Sequence, residues 1–189
     1  MTFCLNTKII GPNNKEDIDN ALILLHGYGG DSKDISMITL HWKRFLKNTV
    51  FLCPNAQDRC SVNPTGYQWF DLSRDDSKYI LEESKKAEIV LLKFIDEVKK
   101  EYNLKNSKII LSGFSQGCMM SINLGLISSE NYNCIVGFSG KIIDKIDLEK
   151  RKKCSTKMLL IHGDKDEIVS PSSLLEAKDF LIRNNVEVK

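Results

Sequence analysis

Ile109-Ile110-Leu111-Ser112-Gly113-Phe114-Ser115-Gln116-Gly117-Cys118-Met119-Met120 is the stretch from which the architecture can be read. An uninterrupted aliphatic run enters a glycine-flanked serine, and apolar residues resume at once through Met120 to Ile122. Continuous rather than alternating hydrophobicity reads as a strand buried on both faces, and the run after the turn reads as a buried helix. The Gly-x-Ser-x-Gly spacing thus stands between strand and helix, the context that gives it meaning. A sharp bend there holds the serine in a strained conformation, and side chains two residues to either side would strike neighbouring backbone. Ser115 is expected at the tip of a helix whose free amides favour developing negative charge, which makes it the candidate nucleophile.

Outward from this turn, three more apolar runs read as central strands: Leu22 to Leu25, Val50 to Cys53 and Met158 to Ile161, with a weaker one at Ile135 to Phe138. Helical periodicity separates them. Ile80, Ser84, Ala87, Leu91, Phe94 or Ile95, Val98 and Tyr102 advance by threes and fours, which predicts a long amphipathic helix near residues 78–103 capped among Asp75, Asp76 and Ser77. Ile35, Ile38, Trp42 and Phe45 predict a second helix opened near Asp34, and Ser170-Pro171 opens a third carrying Leu174, Ala177 and Leu181. Strands alternating with helices imply an α/β fold, one domain over residues 1–189, with a mostly parallel central sheet and helices on both faces. Pro54 to Arg74 is the expected irregular stretch, long enough to be a functional loop.

Composition narrows the function. The 189 residues are 42% hydrophobic and 28% charged, enough for a sizeable core. Lys+Arg 27 against Asp+Glu 25 leaves a net charge of +2, too balanced for a nucleic-acid footprint, so no nucleic-acid partner is expected. No run approaches the roughly 18–20 apolar residues of a membrane span, and the first residues do not form a secretory signal. A cytoplasmic protein is expected. Cys4, Cys53, Cys60, Cys118, Cys134 and Cys154 are scattered without metal-finger spacing. Several sit in apolar runs where a reduced thiol packs as a small hydrophobe, and no metal is expected.

Two other strand ends carry polar residues. Leu24-Leu25-His26-Gly27-Tyr28-Gly29-Gly30-Asp31 feeds a glycine-rich turn that lacks the Gly-Lys-Ser/Thr ending of a phosphate loop. An oxyanion loop fits better, with backbone amides of Tyr28 and Gln116 facing a carbonyl oxygen. His26 is expected to order this loop through hydrogen bonds. Ile161-His162-Gly163-Asp164-Lys165-Asp166 places carboxylates just beyond a strand, where one could orient a histidine. Position alone leaves Asp164 and Asp166 open.

Together these segments resemble the phospholipase/carboxylesterase family of α/β-hydrolases, which includes acyl-protein thioesterases. The matches run in order: Leu-His-Gly-Tyr-Gly-Gly-Asp at 25–31, Pro-Asn-Ala at 54–56, Gln-Trp-Phe-Asp at 68–71, Gly-Phe-Ser-Gln-Gly at 113–117, Phe-Ser-Gly at 138–140 and His-Gly-Asp-x-Asp at 162–166. The resemblance implies an α/β-hydrolase fold and a cofactor-free serine hydrolase of carboxylic esters or thioesters, acting on small-molecule or acylated-protein substrates. It assigns the nucleophile to Ser115, the acid to Asp166 rather than Asp164, and the oxyanion amides to Tyr28 and Gln116. Trp69 falls in the loop that borders the acyl pocket in this family.

One element of the pattern is missing. The family places its histidine after the last strand, and here no histidine follows His162. Removing a triad histidine can lower turnover on the order of 10⁶-fold, so the chain as it stands is expected to be nearly inert. His162 is expected beyond hydrogen-bond reach, because its strand lies two positions from the serine's. His41, beside Trp42 and Lys43, reads as a surface residue. Val186 to Lys189 reads as the start of the last strand, so the chain is expected to be C-terminally truncated and to lack the rest of the last strand and the final helix. The alternative is a degenerate hydrolase that binds acyl groups without turning them over.

Overall fold

The computed structural model describes residues 3–189. In chain order the strands are β1 (Thr7–Ile10), β2 (Asn20–Leu25), β3 (Thr49–Pro54), β4 (Asp58–Arg59), β5 (Tyr67–Gln68), β6 (Ile109–Phe114), β7 (Cys134–Phe138) and β8 (Met158–Ile161). The helices are α1 (Ser32–Ser36), α2 (Thr39–Trp42), α3 (Ser77–Glu101), α4 (Gln116–Ile127), α5 (Lys145–Arg151) and α6 (Ser172–Arg183). Six strands form the sheet in the order β1-β3-β2-β6-β7-β8, while β4 and β5 pair as a separate short hairpin. Only β1 runs antiparallel in the main sheet. This is the mostly parallel α/β architecture expected of the α/β-hydrolase fold.

All five apolar runs form the strands anticipated for them. The register aligns their carboxyl ends. Leu25 pairs with Gly113, Phe114 with Phe138, and Phe138 with Ile161, so the chain leaves β2, β6, β7 and β8 at one level. The loops beginning at His26, Ser115, Ser139 and His162 therefore lie side by side along one edge.

One face of the sheet is packed by α4 and α3. Every residue of α4 is buried, so the helix that Ser115 opens is enclosed on all sides. The α3 helix buries Ala87, Leu91, Phe94, Ile95 and Val98, and Asp76 caps it by accepting from the amides of Lys78 and Tyr79. Asp76 is one of the anticipated cap candidates.

The other face is covered unevenly. Leu22, Leu24, Phe51 and Cys53 pack under Ile35, Ile38 and Trp42 of the α1–α2 segment. Over the β6–β8 half, among the described residues, the cover is thinner: Ile110, Cys134, Val136 and Phe138 are half-buried, and Leu159 and Ile161 are 42% and 44% exposed. Burial in β7 and β8 accordingly alternates, whereas β3 is buried throughout. Helices lie on both faces as expected, and the α1–α2 cover is denser over the β3–β2 half than over β6–β8. Glu187 and Lys189 hydrogen-bond the outer edge of β8 through Met158 and Leu160, and Val188 bridges Met158 in parallel.

The helix anticipated near Asp34 is divided. Asp31 caps α1, and the side chains of Ser36 and Thr39 bond the carbonyls of Lys33 and Ser36. Such local bonds compete with helical continuation, so Phe45 falls beyond α2 and is 84% exposed. The stretch 54–74 is not wholly irregular, since it contains the β4–β5 hairpin.

A buried polar cluster fastens α5 to α3 and α4. The carboxylate of Glu88, 3% exposed, accepts from both Arg151 Nη atoms at 2.7 and 3.2 Å and from Asn123 Nδ2 at 2.8 Å. Arg151 also donates to Asp147, which pairs with Lys85. Truncating Arg151 would strand a buried carboxylate, so Arg151→Ala is expected to destabilise the fold by about 3 kcal/mol. Urea denaturation measures this, and combining Arg151→Met with Glu88→Gln should recover much of the loss.

Candidate active site

The serine turn is built by the absence of side chains. A Cβ at Gly113 would lie 2.3 Å from the backbone of Gly117, and one at Gly117 would lie 2.3 Å from the carbonyl oxygen of Leu25. The first turn of α4 thus presses directly on the chain leaving β2. Between these glycines Ser115 has φ 51° and ψ −114°, a backbone conformation that L-residues rarely adopt. Such strain costs about 1–3 kcal/mol and persists only where the surroundings enforce it. Here the Ser115 amide donates to Phe138 O at 2.8 Å, and α4 anchors the other side.

Ser115 is half-buried, and its side chain does not cap α4. Among the described residues, no hydrogen bond engages the amides of Tyr28 or Gln116. The strained serine and the unengaged Gln116 amide that follows it stand at the N-terminus of α4, where a helix end favours negative charge.

The His26–Gly30 loop is tied down from several directions. His26 is 1% exposed; its Nε2 accepts from Ala56 N at 3.0 Å and its Nδ1 meets Gly27 O at 2.7 Å. Burial holds the imidazole pKa below its ordinary value, consistent with a neutral ring accepting at Nε2. Both ring nitrogens are committed, as expected of a loop-ordering residue. Gly29 N donates to Tyr67 O, Tyr67 N donates to Gly30 O, and Asn63 Nδ2 donates to Gly29 O at 2.7 Å. The phenol of Tyr28 meets Ser61 Oγ at 3.0 Å. Gly66 has no room for a side chain, because its Cβ would lie 2.0 Å from Gly29 O.

Trp69 stands in this neighbourhood with its indole turned inward, 2% exposed. Its Nε1 donates to His26 O at 2.9 Å, and its ring stacks on the His26 imidazole with centroids 5.1 Å apart. The Gln116 side chain, equally enclosed, accepts from Trp69 N at 2.8 Å and donates to Phe70 O at 2.7 Å. Sequence reading missed these side-chain roles; a buried carboxamide leaves no pattern in spacing.

Past β8, the two carboxylates differ. Asp164 is exposed. Asp166 accepts from the amides of Val169 and Ile168 at 2.9 and 3.0 Å, which hold its carboxyl below the usual range. Its Oδ2 faces His162 Nδ1 at 4.0 Å. The His162 side chain is 2% exposed, its Nδ1 meets Gly163 O, and its Nε2 has no partner. As anticipated, His162 stands two strands from the serine's strand, and His41 lies exposed on α2. None of the three imidazoles hydrogen-bonds Ser115.

Among the described residues, no helix is long and apolar enough to cross a membrane. In sequence the chain is similar to acyl-protein thioesterase 1 of Schizosaccharomyces pombe, 29% identical over all of this chain and 86% of that protein. It is also similar to esterase YpfH of Escherichia coli, 25% identical over 85% of this chain and 68% of that one. Its structure superposes on the crystal structure of esterase PE8 with a TM-score of 0.92 and 33% identity, covering 98% of this chain and 86% of the other. The profile of the phospholipase/carboxylesterase family matches residues 6–189. Together with the strained serine turn, these likenesses establish that the chain belongs to the phospholipase/carboxylesterase family of carboxylic ester hydrolases.

Proposed function

We propose that the chain hydrolyses carboxylic esters or thioesters through an acyl-serine intermediate on Ser115. The observation that carries this reading is the strained backbone of Ser115 at the start of α4, and the amides of Tyr28 and Gln116, which have no hydrogen-bond partner, support it. The serine oxygen attacks the substrate carbonyl carbon, its proton passing to solvent water, which returns a proton to the leaving group, while the oxyanion takes hydrogen bonds from the amides of Tyr28 and Gln116. Collapse of the tetrahedral intermediate releases the alcohol or thiol, and water then cleaves the acyl-serine. Losing one such donor typically costs on the order of 10² to 10³ in rate. Asp166, held ionised by its two backbone donors, is the acid that orients and stabilises an imidazolium.

The substrate class follows the similarity to thioesterases and esterases: a small acyl ester or an acylated protein. Six unpaired cysteines fit a reducing, cytoplasmic setting. Proton transfer is the slow point. With no imidazole bonded to Ser115, residues 1–189 by themselves are proposed to turn over slowly, on the order of 10⁶ below a complete triad. That His26 and His162 bond backbone groups rather than Ser115 favours the second reading, an acyl-binding domain without turnover.

Chemical rescue separates the two. Imidazole added to the buffer is expected to stimulate hydrolysis of an activated ester by residues 1–189, and Ser115→Ala is expected to abolish the stimulated component. Equal rates in both proteins, together with retained binding of a long-chain acyl ester, would favour the binding domain. Ser115→Gly, which relieves the backbone strain, is expected to raise stability by about 1 kcal/mol in urea denaturation while losing activity.

A further inference from the structure

We propose that the Gln116 side chain and the Trp69 indole form a lock that fixes the oxyanion loop relative to Ser115, making both positioning residues. The proposal rests on the reading in which the amides of Tyr28 and Gln116 receive the oxyanion.

The loop needs such a device. Gly27, Gly29 and Gly30 surround Tyr28, and glycine leaves the backbone free to take many conformations. The N–H of Tyr28 belongs to the peptide joining Gly27 to Tyr28. The peptide before it presents the His26 carbonyl, which accepts the Trp69 indole N–H at 2.9 Å. The peptide after it presents the Gly29 amide, which donates to Tyr67 O at 2.9 Å. Holding the planes on either side limits rotation of the one between them.

The indole is fixed in turn from the serine's own helix. Gln116 begins α4, and its carboxamide is 1% exposed, an unusual place for a side chain at a helix start. Its acceptor faces an N–H and its donor faces a carbonyl, so both halves of the amide are satisfied in one orientation. Those partners are the backbones of Trp69 and Phe70. A continuous path thus leads from the Gln116 side chain through Trp69 to the His26 carbonyl, and from there over two residues to the Tyr28 amide. It begins on the residue that supplies the other donor. The two donors are coupled across the top of the sheet as well as through the pairing of β2 with β6.

Stacking of the indole on His26 adds a second tie, since His26 also receives the Ala56 amide. A preorganised oxyanion site needs no rearrangement during reaction, and loosening it lowers the rate without weakening ground-state binding.

Two variants test the lock. Trp69→Phe keeps an aromatic ring and removes the N–H; Gln116→Met keeps the length and removes both side-chain bonds. The amides of Gly29 and Gly30, both hydrogen-bonded, are read by hydrogen exchange, with β2 and β6 as internal controls of folding. Each variant is expected to exchange at least about fivefold faster at these two amides, with the strands unchanged. Ser115-dependent hydrolysis in imidazole buffer is expected to lose about tenfold in kcat with KM unchanged. Wild-type exchange at Gly29 and Gly30 in both variants would overturn the proposal, as would a raised KM with kcat intact. If the wild type shows no Ser115-dependent hydrolysis, the reading of function fails, while exchange still decides whether the lock exists.

Discussion

Contact between two backbones governs this molecule: the first turn of α4 lies against the chain leaving β2, with nothing larger than hydrogen between them. A methyl at position 117 would sit 2.3 Å from Leu25 O and 2.7 Å from His26 O, and one at 113 would strike residue 117 itself. Pairing of β2 with β6 brings the two strands to about 4.8 Å in the hydrogen-bonding direction. The glycines then let the turn above β6 lean onto the loop above β2. The strained serine, the free amides and the inward Trp69 all follow from that approach. The strain is affordable because α4 is wholly enclosed and cannot relax by swinging away.

Polar groups along this edge divide their work. His26 spends both ring nitrogens on backbone and lies against an indole, so it shapes a loop. His162 is enclosed beside Asp166, with one nitrogen at Gly163 and the other without a partner. Asp166 is held in its charged form by two amides of the turn that follows it. The carboxylate is thus prepared for a cation, while neither imidazole nearby is bonded to the serine.

Much of this was legible in sequence, for identifiable reasons. Unbroken apolar runs marked the five parallel strands; in β2 and β3 burial on both faces accounts for the missing alternation, whereas β7 and β8 carry such runs although their burial alternates. The Gly113 and Gly117 spacing marked the turn because no other residue fits. Asp76 was legible as a cap, and the α3 periodicity gave its buried stripe. What escaped was decided by tertiary contact. β1 has four residues, of which none is fully buried, and becomes a strand only because β3 offers it an edge. The β4–β5 hairpin exists because Tyr67 pairs across to the glycine loop. The side-chain role of Gln116 was invisible because its partners are backbone atoms forty-seven and forty-six positions away.

The thin cover over β6–β8 has a practical consequence for anyone handling the protein. Leu159 and Ile161 are exposed and Ile110, Val136 and Phe138 only half-buried, which leaves apolar surface of the kind that captures environment-sensitive dyes. Fluorescence from anilinonaphthalene sulfonate, ordinarily taken as a sign of loosened packing, would here report an intact fold with apolar surface open over β8. Dye-monitored melts would start from a bright baseline, and tyrosine or tryptophan signals would serve better for following its denaturation.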